Sequence, residues 1–265
     1  MGFNIGDFVS RKSYNNDIIF MIKKIENNTA YLAGVNLRLC ADASIDDIVS
    51  VENSNLFDDN SIISKNIEKS DIDRNKYFYI PGKILHIDGD EKYLDRCMNY
   101  YKQIGVKANG VSIVEYMISS KIKYLLNEYK PDILVITGHD SFCVKNGDLS
   151  DLSNYQNSSN FISAIKEARK YEKSQDKLII IAGACQSNYE ELIKAGANFA
   201  SSPKRINIHA LDPAIIASSL ALSDKNQSID LMKLLESTKY GVGGMGGIIT
   251  NGTMYVGYPR WIKIQ

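Results

Sequence analysis

The sequence predicts a two-part α/β protein: a small N-terminal β unit over residues 1–52, a linker over 53–80, and a mostly parallel sheet covered by helices over 81–265. Three observations carry this. Apolar residues recur with period two as far as Val51. Apolar periodicity then fades through Asp58-Asp59-Asn60-Ser61 and Lys69 to Lys76. After Pro81-Gly82, short fully apolar runs alternate with amphipathic helical patterns, the signature of strands buried on both faces. The chain has 265 residues, which at one domain per about 150 residues is nearer two domains than one.

In the first part, Asp7-Phe8-Val9, Ile18 to Ile25, Tyr31-Leu32, Val35 to Leu39 and Ile48 to Val51 read as five short strands, with a turn at Asn27-Asn28. Five such strands in about fifty residues fit an SH3-like barrel serving as a folding or docking appendage. In the second part, Ile84-Leu85-His86-Ile87 is a strand, and Tyr93, Leu94, Cys97, Met98 and Tyr101 share one face of the following helix. A shorter strand is expected near Val106 to Ser112. The helix after it is the clearest in the chain, with Val114, Met117, Ile118, Ile122, Leu125, Leu126 and Tyr129 at three- and four-residue intervals. Ile133 to Ile136 and Leu178 to Ile181 are apolar throughout and read as central strands, with a helix through Phe161, Ile165 and Ala168 between them. A helix from Asn188 to Lys194, a strand near Phe199 and a helix with Asp212-Pro213 at N-cap and N1 follow. The tail from Gly247 to Tyr258 suggests a hairpin turning at Asn251-Gly252.

Thirty-one Lys plus Arg balance thirty-one Asp plus Glu, so no global field recruits nucleic acid or an anionic bilayer. No apolar run reaches the ~18–20 residues of a membrane span, and the N-terminus lacks the pattern of a leader; a cytoplasmic protein is expected. The cysteines Cys40, Cys97, Cys143 and Cys185 show no C-x-x-C spacing. No metal or organic cofactor is implied, and all but Cys185 read as packed core residues.

Reactive groups of open α/β sheets lie beyond the carboxyl ends of the strands. The two most buried strands lead into Thr137-Gly138-His139-Asp140 and Gly183-Ala184-Cys185-Gln186-Ser187. Ser187 and Glu190 read as a capping box starting a helix behind Cys185, which with a nearby imidazolium would lower the thiol pKa. The expected chemistry is nucleophilic attack by Cys185 with His139 as general base, the backbone N–H groups of Cys185 and Asp140 holding the oxyanion. His86 reads as a satisfied core residue. Gly241 to Gly247 reads as a flexible loop at the rim of the site rather than a phosphate cradle.

Cys185 stands 46 residues after His139, and the arrangement resembles caspase-type cysteine peptidases, where the separation is about 50; the second part would then be a caspase- or flavodoxin-like sheet. A closer resemblance spans nearly the whole chain through Ile5-Gly6-Asp7-Phe8-Val9, Ile84 to Asp90, Thr137 to Asp140 and Ala182 to Ser187: the chain is similar to the YabG family of sporulation-specific peptidases. That resemblance implies a cysteine endopeptidase acting on spore coat and cortex-related proproteins and cutting after Arg or Lys. Related peptidases often carry an acid two residues before the cysteine, where this chain has Gly183. An acid partner for a basic substrate is therefore expected from Asp88, at the end of the first strand, or from Asp148 in the loop after His139.

Two other classes compete. A cysteine amidohydrolase of the glutamine-amidotransferase type would pair Cys185 with the downstream His209. A non-catalytic scaffold would join the barrel to an inactive flavodoxin-like domain.

Overall fold

The structure is a computed structural model that describes residues 2–51, 59, 77–144 and 147–259. Most of the expected linker lies outside the described residues.

The N-terminal strands are β1 (Phe8–Arg11), β2 (Phe20–Glu26), β3 (Thr29–Gly34), β4 (Cys40–Ser44) and β5 (Ile48–Ser50). They form one antiparallel sheet in the order β4-β3-β2-β1-β5, with Val9, Phe20, Ile22, Ala30, Leu32, Ala43 and Ile48 as its core. The edge strands β4 and β5 do not pair among the described residues, so the sheet is open rather than a closed barrel. A second correction falls on Val35 to Leu39. This stretch alternates like a strand, yet it forms the connection between β3 and β4 and leaves the small sheet to pair with the second part of the chain.

The second part begins with β6 (Phe78–Ile80), which pairs with β13 (Tyr255–Gly257). The main sheet contains β7 (Ile84–Asp88), β8 (Ala108–Ser112), β9 (Ile133–Thr137), β10 (Ile179–Ala182), β11 (Phe199–Ser201) and β12 (Met245–Gly247). Its order is β12-β11-β10-β9-β7-β8, parallel except for the edge strand β12. The helices are α1 (Glu91–Gln103), α2 (Glu115–Tyr129), α3 (Ser158–Tyr171), α4 (Tyr189–Lys194), α5 (Asp212–Ala221) and α6 (Leu231–Glu236).

Alternate residues of the same strands enter two cores. Ile84, Ile133, Val135, Ile179 and Ile181 pack under α1, α5 and α6. Leu85, Ile87, Leu134, Ile136 and Ile180 pack under α2, α3 and α4. Strands covered on both faces need apolar residues at every position, which is why β9 and β10 read as unbroken apolar runs. Chain order reverses between β7 and β9, so a crevice opens at their carboxyl ends, the usual ligand position in such sheets.

Three local expectations change. Gly241 to Gly247 forms a 3₁₀ turn followed by β12 rather than a flexible loop. No hairpin turns at Asn251-Gly252, because β12 pairs with β11 and β13 with β6. Asp212 and Pro213 sit one position further into α5 than expected, after Leu211 at the N-cap; the Asp212 side chain instead accepts from the N–H groups of His209 and Lys239.

Candidate active site

Register brings the two candidate residues to equivalent places. Ile136 of β9 pairs with Ala182 of β10, and His139 and Cys185 each stand three residues beyond that pair.

His139 is held from three sides. Its Nε2 lies 3.2 Å from Asp90 Oδ2, its ring meets Tyr93 edge-on at 5.6 Å, and its backbone N–H donates to Glu115 Oε1 at 2.7 Å. Glu115 reaches that amide through a gap that only glycines leave: a Cβ on Gly138 or Gly89 would stand 2.4 or 2.3 Å from its Oε1. Asp90 also caps α1, accepting from the N–H groups of Lys92 and Tyr93, so one carboxylate ties the helix start to the imidazole. Burial lowers the pKa of His139, but the hydrogen bond it donates to Asp90 and then the contact with Cys40 outweigh it and raise it to about 10. Burial likewise opposes ionisation of Asp90, yet His139 and Lys23 pull its pKa down to about 2.

Cys185 differs from expectation. Its side chain is fully buried, and its sulfur accepts from the N–H of Ile208 at 3.3 Å. Burial pushes the thiol up to about 12, the opposite of the activated state expected. The capping box is also absent. Asn188 caps the six-residue α4 by accepting from Glu191 N–H, while Ser187 Oγ accepts from Ala184 N–H and donates to Asp140 Oδ2. The next residue, Gln186, is left-handed at φ 57°. Its amide N–H bonds Ile206 O and its side chain bonds Phe142 N–H and Asn207, which hold the turn after the cysteine.

Asp140 is the clamp between the two loops. Its buried carboxylate accepts from Ser141 N–H, Asn157 N–H, Ser158 Oγ and Ser187 Oγ. The backbone N–H groups of Asp140 and Cys185 donate to no acceptor among the described residues.

Cys40 and Cys143 are exposed, contrary to their reading as core residues; Cys97 is buried as expected. Cys40 lies against His139, its sulfur 3.4 Å from Nδ1 and 3.7 Å from Nε2. A sulfur aligned with the lone pair of one ring nitrogen would be far out of reach of the other. Cys40 is therefore packed beside the ring rather than hydrogen-bonded along either nitrogen.

Asp88 is buried at the end of β7 and is already paired. Arg38 Nη1 lies 2.5 Å from its Oδ2, Thr137 Oγ1 donates to the same oxygen at 2.7 Å, and Asp90 N–H donates to Oδ1. Despite the cost of burial, Arg38 holds the carboxyl well below the usual carboxylate range. His86 is the satisfied core residue expected: Nδ1 meets Tyr101 Oη and Nε2 meets Thr137 Oγ1, both at 2.9 Å, and burial lowers its pKa. Asp148 is exposed and bonds Ser150 within its own turn. His209 is buried, and its Nδ1 accepts from Leu211 N–H at 3.2 Å.

Sequence reading missed Asp90, Glu115 and Arg38. Asp90 had a signal in Asp88-Gly89-Asp90 ahead of a helical pattern; Glu115 and Arg38 reach the site through tertiary packing alone.

A histidine held by a carboxylate at the carboxyl edge of a mostly parallel sheet is the layout of an α/β hydrolytic enzyme, and the family model that matches is one of peptidases. That model, YabG peptidase U57, covers residues 4–72 and 58–259. The sporulation-specific protease YabG of Bacillus subtilis (strain 168) is 41% identical over 286 aligned residues, spanning 98% of this chain and 99% of that protein. The chain belongs to the YabG peptidase family.

Proposed function

We propose that the chain is a cysteine endopeptidase in which Cys185 attacks the scissile carbonyl and His139 takes the thiol proton and returns it to the leaving amine. The observation that carries this reading is the matched position of the two residues, each three beyond the Ile136–Ala182 pair on neighbouring parallel strands. Asp90 on Nε2 orients the imidazole and leaves Nδ1 as the nitrogen for the thiol. The amides of Cys185 and Asp140, which meet no acceptor among the described residues, would receive the oxyanion, with Asp140's carboxylate fixing the distance between the loops. As long as Cys185 is buried it stays protonated, and Asp90 holds His139 in its protonated form, so catalysis requires the thiol to become accessible and the imidazole to release its proton before it takes the thiol's.

Domain division at residues 1–52, 53–80 and 81–265 belongs to the same reading; the separate N-terminal core supports the first unit, and the pairing of Phe78–Ile80 with β13 ties the end of the proposed linker to the last unit. The natural substrates are proposed to be proteins processed during sporulation, spore coat and cortex-related proproteins among them, cut after Arg or Lys in the cytoplasm of the sporulating cell. The name and near full-length match of the relative support a protease of sporulation; the coat and cortex substrates, the Arg or Lys preference and the location follow from the family resemblance alone. No helix among the described residues is long and apolar enough to cross a membrane.

A second reading has one observation in its favour: Cys40 is the exposed thiol in contact with His139. It would make Cys40, His139 and Asp90 the catalytic set. Cleavage of an arginine-containing peptide by Cys185→Ala, Cys40→Ala and His139→Ala separates the two. The leading reading expects no cleavage by Cys185→Ala or His139→Ala and retained cleavage by Cys40→Ala; the reverse pattern for the cysteines supports the second.

A further inference from the structure

The connection between β3 and β4 crosses from the small sheet onto the candidate site and pairs there as a peptide pairs with a cleft. Arg38 N–H donates to Ile208 O at 3.3 Å, Ala210 N–H donates to Asn36 O at 3.0 Å, and Leu37 and His209 form an antiparallel bridge. Main-chain pairing with pockets for alternate side chains is how extended peptides are recognised. The side chain completes the likeness. Arg38 is fully buried; besides Asp88, its guanidinium donates to Ala210 O from Nε and Nη2, contacts Cys97 Sγ at 3.5 Å and lies 5.1 Å from the centre of the Tyr93 ring. An acid, a carbonyl and an aromatic face match a planar, forked cation. Ile208 links this pocket to the thiol, because its C=O accepts from Arg38 while its N–H donates to Cys185 Sγ.

We propose that Asn36–Leu39 is a built-in ligand of the site, with Arg38 occupying the pocket that takes the guanidinium of a peptide substrate. The identification of that pocket as the substrate's rests on the cysteine-peptidase reading above; the occupancy itself rests on the contacts just given. While the segment is seated, Cys185 is buried and joined to it through Ile208, and an incoming chain must displace Arg38 from Asp88. The carbonyls of Gly34 and Leu37 are held by Tyr93 Oη and that of Val35 by Arg96, so the segment is tethered beside the site.

A purely structural strap would make the same bonds but would not yield to a competitor. The test therefore uses the full-length Cys185→Ala protein, which keeps Arg38 and Asp88, and follows amide hydrogen exchange with a saturating peptide that carries one central arginine, against its glutamine counterpart. The expected result is faster exchange at Arg38 and Ala210, by about tenfold or more, with the arginine peptide alone. Unchanged exchange with both peptides, or an equal rise with both, overturns the proposal. A second measurement uses Arg38→Ala and Arg38→Lys: iodoacetamide should label Cys185 faster in both folded variants than in wild type, and agmatine should slow the labelling again in Arg38→Ala. Labelling as slow as wild type, or indifferent to agmatine, contradicts the occupancy. Persistent peptide cleavage by Cys185→Ala would instead sink the nucleophile assignment, and the exchange result would still decide whether the segment is displaced.

Discussion

Asp90 Oδ2 approaches Nε2 of His139 to 3.2 Å while Oδ1 of the same carboxylate caps α1. The base is thus anchored to a helix start and to the end of β7 at once, and its protonated form is favoured. Asp90→Asn removes the charge and keeps the shape. His139 should then titrate well below about 10, and kcat should fall by roughly 10²-fold, the lower end of general-base contributions. An NMR titration of the His139 ring in wild type and variant checks the first point and peptide kinetics the second.

The same pair sets a pH window for stability. His139 is raised to about 10, so its contribution is complete below the unfolded value of ~6.5 and is lost as pH rises through 10. Asp90 is depressed to about 2; its contribution is complete above ~3.9 and is lost as pH falls toward 2. Both are fully present between about pH 4 and 6.5. Urea midpoints across pH should show Asp90→Asn losing most relative to wild type in that window and little at pH 10.5.

Glu115 acts through the backbone of His139 and is a positioning residue. Glu115→Gln keeps an acceptor for the His139 N–H and should retain most activity. Glu115→Ala should lower kcat with KM nearly unchanged, because binding groups stay in place while the base drifts. Gly138→Ala should behave like Glu115→Ala, since its Cβ would stand 2.4 Å from the Glu115 carboxylate.

Asp140→Ala leaves two amides and two hydroxyls without their acceptor. Unsatisfied buried donors cost about 1–3 kcal/mol each where solvent cannot replace the partner, so a loss of at least ~2 kcal/mol is expected. Chemical denaturation measures it. An unchanged midpoint would mean that water takes over the clamp.

The course of the main sheet was legible because β9 and β10 sit under helices on both faces, and that burial demands the unbroken apolar runs seen in Ile133 to Ile136 and Leu178 to Ile181. His139 and Cys185 followed from the rule that chemistry gathers beyond such strands. Val35 to Leu39 was misread because alternation reports burial on one side without saying what buries it; here Leu37 and Arg38 meet the other half of the chain. The cysteines were misassigned for the same reason. Cys40 lies on an edge strand and stays exposed, whereas Cys185 is buried in the main core with Ile208 N–H on its sulfur, a tertiary contact without local signal. The expected hairpin at Asn251-Gly252 failed because β12 and β13 each found a partner distant in sequence.

Which sulfur becomes alkylated tests the central claim most directly. A peptide ending in an arginine acyloxymethyl ketone delivers an electrophile to the nucleophile of an arginine-accepting site, and peptide mapping by mass spectrometry reports the modified cysteine. The account predicts a single adduct on Cys185, lost in His139→Ala and blocked by excess arginine peptide. An adduct on Cys40 with Cys185 unmodified would contradict it.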